Sequence, residues 1–344
     1  MKRKLTRRNL IRLGLLGLIA GETAYLSQWF GGFSPLDLAR WRVQALGVYL
    51  GPRSTVAISR SPDYGDGLEV AIAEAWRLSG DSAARVRGKR VVLKPNLVAV
   101  GSRGPATTDT RFIEAAIGHF KKLGAADIVV AEGAAFETDP QTLLARTGLD
   151  AVLRRQGVRY IDLNHDDLVE TPLKGGYSAI ATLFAPRTIV EAEYFVSLPK
   201  LKAHHWAGVS LSMKNLFGIV PGSRYGWPKN ILHWHGIPLS ILALYATFRP
   251  HLALVDGIVG MEGDGPIFGD PRQSGVVVMG MDCVAVDATC TRLMGIDPTT
   301  PDHVRLAGAW GLGNVNAERI DVRGATIESV RQAYRLPPTI ANGL

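Results

Sequence analysis

The sequence predicts an α/β fold: a mixed, mostly parallel sheet with helices on both faces, arranged as two lobes with a site between them. Three observations carry that prediction. From residue 54 onward, apolar runs short enough for strands alternate with segments of helical period. Several of the runs, RVVLKPN and DIVVAEG among them, are continuously apolar, as strands buried on both faces are. Polar clusters (Lys94-Pro95-Asn96, Glu132-Gly133, Leu198-Pro199-Lys200, Asp256-Gly257) stand at strand ends, where open α/β sheets bind ligands.

The elements follow in order. Residues 34–53, opening with SPLDLARWRVQALGVYL, read as a helical linker ahead of a body at 54–325, whose lobes divide near 195/196. TVAIS is the first strand, and GLEVAIAEAWRLSG has helical spacing. RVVLKPN is a strand stopped by Pro95. TDTRFIEAAIGHFKKLGA is a helix with Thr108 or Asp109 as cap and Gly124 as stop. DIVVAEG, VRYIDL, TIVEAEYFVSLPK (in two pieces), HLALVDGI and GVVVMGM are later strands. IPLSILALYATF, CVAVDATCTRLMG and DHVRLAGAWG are helices among them. A further helix is expected from about Trp206 to Phe217, where Ser210 and Lys214, four apart, share a face. Residues 326–344 form a tail.

Composition excludes several classes. The chain has 344 residues, 47% hydrophobic and 20% charged, ample for one large or two moderate domains. Its formal net charge is +8, but six of the basic residues lie in the first twelve. The body is therefore nearly neutral and no nucleic-acid partner is expected. Cys283 and Cys290 are the two cysteines, too few for a disulfide framework. Seven apart on one helix, they are separated by a rise of about 10.5 Å, too far to bridge. The chain has no iron–sulfur spacing, no Walker lysine and no G-x-G-x-x-G after a strand. An iron–sulfur cluster, a P-loop nucleotide and NAD are not expected.

Residues 1–33 read as a targeting signal or N-terminal anchor. Basic residues precede a short apolar run from Leu13 to Ala20, and Thr6-Arg7-Arg8-Asn9-Leu10-Ile11-Arg12 resembles the twin-arginine export signal. The run is cut by Glu22, short of a full membrane span. The twin-arginine export machinery, and a membrane reached through the N-terminus, are the expected partners. The expected location is extracytoplasmic or membrane-anchored. The alternative is a basic helix resting on anionic lipid at the cytoplasmic face.

Chemistry concentrates in two stretches. Lys200, Lys202, His204, His205, Lys214, Arg224, Lys229, His233 and His235 fall within 36 residues that contain no acid. Such a field suits a small anionic ligand, carboxylate or phosphate. His204 is the candidate acid/base; His233 and His235 are candidate metal ligands. Lys94, Asn96, Thr108, Lys200, Ser210, Lys214 and Asn215 are candidate contacts to a ligand or cofactor. Thr107-Thr108-Asp109 opens a helix, whose free N–H groups bind anions. The second stretch, VDGIVGMEGDGPIFGDP, spaces carboxylates among glycines that allow tight turns. Asp256 and Glu262 are its candidate orienting or proton-exchanging residues. The two stretches are expected to share one crevice.

Together these segments resemble the family named for domain of unknown function 362. Lys94-Pro95-Asn96, Thr107-Thr108-Asp109, Glu132-Gly133, Pro199-Lys200, HHWAGVSLSMKNLFGIVPG, VDGIVGMEGDGP and Asp282 to Asp287 with MGID occur in order across roughly residues 54–325. The chain departs from the pattern at Thr110 and Cys283, where the family usually has proline. His204-x-x-Ala207-Gly208-x-Ser210-x-x-x-Lys214, then Pro221-Gly222, is also similar to the active-site segment of nickel-pincer lactate racemases. That similarity implies an acid/base at His204, a cofactor-holding lysine at Lys214, and ligation of nickel, or another transition metal, by His233. The chain differs at Leu211, Ser212 and Met213, and no histidine occurs near residues 101–103 to serve as the second base of a racemase. The expectation is an exported or membrane-tethered enzyme that uses a metal or organometallic cofactor on a small anionic carboxylate. The alternative is a non-catalytic metal- or ligand-binding accessory protein for a redox or assembly system.

Overall fold

β-branched and aliphatic runs form a sheet buried on both faces. A computed structural model describes residues 35–98, 105–135 and 139–341. The targeting segment expected at 1–33 and the stretch 101–103 lie outside the described residues.

The described residues begin with α1 (Pro35–Leu50), then β1 (Ser54–Arg60), α2 (Leu68–Ser79) and β2 (Arg90–Pro95). Next come α3 (Thr110–Lys122), β3 (Asp127–Glu132), α4 (Pro140–Thr147), α5 (Leu149–Gln156) and β4 (Arg159–Asp162). β5 (Leu168–Pro172) and β6 (Thr182–Pro186) make a separate antiparallel pair. β7 (Tyr194–Leu198), β8 (Lys200–His204) and β9 (Gly208–Ser210) lead to α6 (Ile237–Thr247). β10 (Leu252–Glu262), β11 (Asp270–Gly280), α7 (Cys283–Leu293), α8 (Asp302–Ala309) and β12 (Ile320–Gly324) complete the body.

The large sheet has the order β12-β1-β11-β10-β7-β2-β3-β4, and β8 pairs with both β10 and β9. β1/β11, β10/β11 and β8/β9 are antiparallel; the remaining pairs of this sheet are parallel. Successive side chains of a strand point to opposite faces, and both faces are packed. Val91 and Leu93 of β2 join the core beneath α2, α3 and α5, while Val92 joins the core beneath α6 and α7. The same alternation runs along β10, with Leu252 and Leu254 on one side and Ala253 and Val255 on the other. The mostly parallel sheet with helices on both faces is therefore present. The boundary drawn at 195/196 cuts through β7, and β1 lies between β11 and β12, so one continuous sheet runs through both expected lobes.

The first piece of TIVEAEYFVSLPK is a helical turn, Arg187–Val190, and the second, Tyr194–Leu198, is strand. Two further local expectations change. The first is the helix at 206–217. VSLS alternates with period two, and Gly208 takes φ +77°, a left-handed value that favours glycine. β8 and β9 form a hairpin there, and a short 3-10 turn follows at Lys214–Ile219. The second is the linker. α1 is helical, but it is docked: Trp41 is fully buried, its ring stacked on Tyr177 at 5.0 Å and on Trp310 at 4.4 Å. Its indole N–H donates to the Gly175 carbonyl at 2.9 Å. The outer face of α1 carries exposed Leu36, Val43, Leu46 and Leu50. Among the described residues no helix is long and apolar enough to cross a membrane.

α3 is capped by Asp109, whose carboxylate accepts from the Arg111 amide at 2.9 Å. Cys283 and Cys290 are both free and buried on α7.

Candidate functional site

The C-terminal ends of β2 and β3 bring Lys94 and Glu132 together in the interior. Lys94 Nζ donates to Glu132 Oε2 at 2.8 Å and to Asn215 Oδ1 at 3.2 Å. Glu132 also accepts from the amides of Leu97 and Gly133. Burial pulls Lys94 down and pushes Glu132 up, and their mutual attraction opposes both shifts. Asn215 Nδ2 donates to the Lys94 carbonyl and to Ser197 Oγ, each at 3.0 Å, tying the 3-10 turn to β2 and β7. Only a glycine fits where that turn crosses the ion pair. A Cβ on Gly218 would stand 1.8 Å from Glu132 Oε1. The turn's approach is fixed from the other side by Asp287 on α7, which accepts from the Ser212 and Met213 amides at 2.8 and 2.9 Å. Burial raises the Asp287 carboxyl to about 7.

Above this floor is a cavity of about 260 Å³. Asn96, Glu132, His204, Ser210, Lys214, Asn215, Lys229 and His233 supply its polar lining; Trp206, Phe217 and Phe268 supply apolar wall. Hydrogen-bond partners fix the histidine tautomers. His204 Nδ1 faces the amides of Trp206 and Ala207 at 3.1 and 3.2 Å, so it accepts, and the ring proton lies on Nε2. Burial, then the charge of Lys214, holds His204 well below the ordinary histidine range. It is a neutral donor. His233 has the opposite arrangement: Nδ1 lies 3.2 Å from the Lys229 carbonyl, donates to it, and leaves Nε2 as an acceptor. Its ring packs edge-on to Trp206 and Phe217.

The lysines outnumber the acids. Lys214 Nζ lies 3.7 Å from the centroid of the Phe217 ring, and burial, reinforced by Lys94, lowers it to about 7. Lys229 is nearly fully buried, donates to Asn164 Oδ1, and is also lowered to about 7 by burial. Lys202 donates to the Ala106 carbonyl at 2.6 Å and is depressed by burial and then by Lys214. Among the described residues of the lining, Glu132 is the one carboxylate; it is already paired with Lys94, and Lys214 and Lys229 stand beside it, with Asp162 acting on Lys229 from outside the lining. Asn96 adds a buried side-chain oxygen without a partner among the described residues.

The family described as Domain of unknown function (DUF362) matches residues 91–292, a span that takes in every residue lining the cavity. The chain belongs to that family. A thylakoid-associated protein of Synechocystis sp. is 27% identical to this DUF362 chain over 267 residues, covering 74% of this chain and 78% of its own. Among solved structures, the lactate racemase apoprotein of Thermoanaerobacterium thermosaccharolyticum overlays with a TM-score of 0.35 at 15% identity, over 64% of this chain and 54% of that one. A Thermotoga maritima protein overlays with a TM-score of 0.32 at 10% identity, over 62% and 53%. The chain spans about half the length of either structure.

In this DUF362 member, Asn96, His204, Ser210, Lys214, Asn215 and His233 line one cavity as a group. Other candidates are turned elsewhere. Asp256 is fully buried and accepts from Lys200 Nζ at 2.8 Å, Tyr64 Oη at 2.9 Å and the Asp109 amide at 2.9 Å. It and Lys200 form a closed ion pair outside the cavity lining. Glu262 holds Arg335, at 3.2 Å from its Nε. Thr108 Oγ1 accepts from the Asn96 amide and donates to the Leu198 carbonyl, so it positions Asn96 without lining the cavity. Lys94 is behind Glu132. His235 is exposed and outside the lining. The carboxylate loop does reach the histidines: Gly265 O accepts from the His205 amide at 2.9 Å and lies 2.6 Å from His205 Nδ1, and Asp264 Oδ1 lies 3.7 Å from the same nitrogen.

Glu132 and Lys229 were visible in the sequence, one at a strand end and one in the basic cluster, without being singled out as contacts. His303 had no such signal. It opens α8, is buried, has both ring nitrogens unpartnered among the described residues, and is pulled to about 3 by burial and then by Lys214.

Proposed function

We propose that the cavity binds a small carboxylate- or phosphate-bearing molecule and exchanges a proton with it. The excess of buried lysines over carboxylates carries this reading. Charges removed from water need partners, and an anion between Lys214 and Lys229 supplies one. The unpartnered Asn96 oxygen and the His204 Nε2–H offer an acceptor and a neutral donor for the ligand's remaining polar atoms. A neutral imidazole in that role polarises a carbonyl without giving up its proton. His233 Nε2 is the basic position, so acid/base work falls to His233 with His204 as donor. A metal centre built from protein ligands alone does not fit: among the described residues no three His, Cys, Asp or Glu side chains converge. No step is routed through a metal.

The proposal includes membrane attachment through residues 1–33, with twin-arginine export as the route, extended by the apolar outer face of α1. The thylakoid-associated relative supports membrane association.

Isothermal titration of the full chain with inorganic phosphate, acetate, pyruvate and malonate tests the binding. At least one anion should bind in the millimolar range or tighter, and Lys229→Met should weaken it at least tenfold. Affinity unchanged in Lys229→Met, or no heat from any of the four, overturns the reading.

A further inference from the structure

We propose that Lys214 is a carbonyl-capturing amine, condensing with the aldehyde or ketone group of a small oxo-carboxylate held in the cavity to give an imine and water. The inference rests on the anionic-ligand reading above and adds a covalent step to it.

The geometry separates half-buried Lys214 from the four buried lysines around it. Lys94 is locked to Glu132, and Lys200 to Asp256. Lys202 is held by a backbone carbonyl, and Lys229 by Asn164. Lys214 has a ring face beneath it, lines the cavity, and has no carboxylate partner among the described residues. Burial and the charge of Lys94 work against the ammonium, while the attraction of the ring face works for it. An apolar wall and a neighbouring lysine are the two arrangements by which proteins keep a lysine amine nucleophilic near neutral pH, and both are present here.

The rest of the cavity fits the same chemistry. His204, Lys214 and His233 line the same cavity. The His204 Nε2–H would donate to the carbonyl oxygen and draw electrons from the carbon as the amine nitrogen adds. The adduct then carries an excess proton on nitrogen. His233 Nε2 relays that proton to the alkoxide oxygen, giving the carbinolamine, and then relays the remaining amine proton to the hydroxyl, which leaves as water as the C=N bond forms. No oxidant or reductant enters. The Lys229 ammonium is the counter-charge for the ligand's carboxylate. At about 260 Å³ the cavity has room for on the order of ten non-hydrogen atoms, since a liquid water occupies about 30 Å³.

Borohydride trapping tests this directly. The full chain is incubated with glyoxylate, pyruvate or acetone, reduced with sodium borohydride, digested and mapped by mass spectrometry. A reduced adduct should appear on Lys214 with glyoxylate or pyruvate, at least tenfold above any exposed lysine, and at least tenfold less with acetone, which lacks the carboxylate. Lys214→Arg should lose the adduct, and the unmutated chain should bind the same oxo-carboxylate by titration. Anion binding without a Lys214 adduct overturns this inference and leaves the anionic-ligand reading standing. Adducts spread evenly over surface lysines overturn it equally. If no anion binds either, both readings fall together. Because the map is read on the unmutated protein, a poorly folding variant does not blunt the test.

Discussion

Asp256 and Lys200 meet across 56 residues of sequence, with Tyr64 hydrogen-bonded to both. Asp256→Ala would leave the Lys200 ammonium buried and unpaired, a loss of about 3–5 kcal/mol. Urea denaturation should show that loss, and combining it with Lys200→Met should recover most of it. Anion affinity per folded molecule should not change, since neither residue lines the cavity. A lysine in the lining behaves differently with pH. Lys214 falls from an ordinary value of 10.5 to about 7 on folding. Between those values the unfolded chain binds more protons, so stability rises with pH across the window and is lost as pH falls through about 7. Melting temperatures at pH 7 and pH 9.5 should therefore differ less in Lys214→Met than in the unaltered chain. An equal difference would mean that Lys214 titrates like a surface lysine. These two cases show what the sequence carried at this scale. A basic stretch without acids of its own leaves its lysines without local partners; Lys200 finds one in Asp256, whereas Lys214 lines the cavity together with His233. Carboxylates among glycines look the same whether they face a ligand or another side chain: Asp256 pairs with buried Lys200, and Glu262 with exposed Arg335.

Strands were the most legible elements, because their continuous apolar runs have one reading once Pro95 or a glycine bounds them. The 206–217 segment was not. Val209, Leu211, Met213, Leu216 and Phe217 are all buried, and their spacing satisfies a helix as well as a hairpin followed by a tight turn. The decision lies with tertiary partners: β10 pairs with β8, and the Asp287 carboxylate takes the Ser212 and Met213 amides. Ser210 and Lys214 still line one cavity, by a route other than the shared helix face. α1 was read correctly as a helix but not as a docked one, since a single buried Trp41 does not announce its partners. Its other face has a consequence that can be measured. Val43 is 70% exposed and Leu50 72%, on a stripe with Leu36, and such a stripe on a helix lies naturally in a lipid interface. Both native cysteines are buried, so a Val43→Cys variant accepts an environment-sensitive fluorophore at one position. Its emission should shift to the blue on vesicles containing anionic lipid, while the same label at Val70, exposed on α2, should not shift. Equal behaviour of the two labels would remove α1 from the membrane-facing surface.

At the scale of the whole molecule, the sheet's order was beyond the reach of local pattern. Alternating strands and helices announce a layered α/β fold, yet nothing in TVAIS says that its neighbours will be β11 and β12. The antiparallel β10/β11 pair lets the chain reverse and insert β1 between its last strands. That arrangement also gathers the site from far apart in sequence, with Asn96, Glu132, His204 and Phe268 around one cavity. It has a further effect during synthesis. β1 is among the first body segments to leave the ribosome, and both of its partners come more than 200 residues later. At about 5–20 residues per second, the wait is on the order of ten to forty seconds. Through that interval a strand with Val56, Ala57 and Ile58, all fully buried once folded, has open edges on both sides. The first strand of the body is thus its last to be protected, and a chaperone that shields nascent β-strands would find its longest-lived target there.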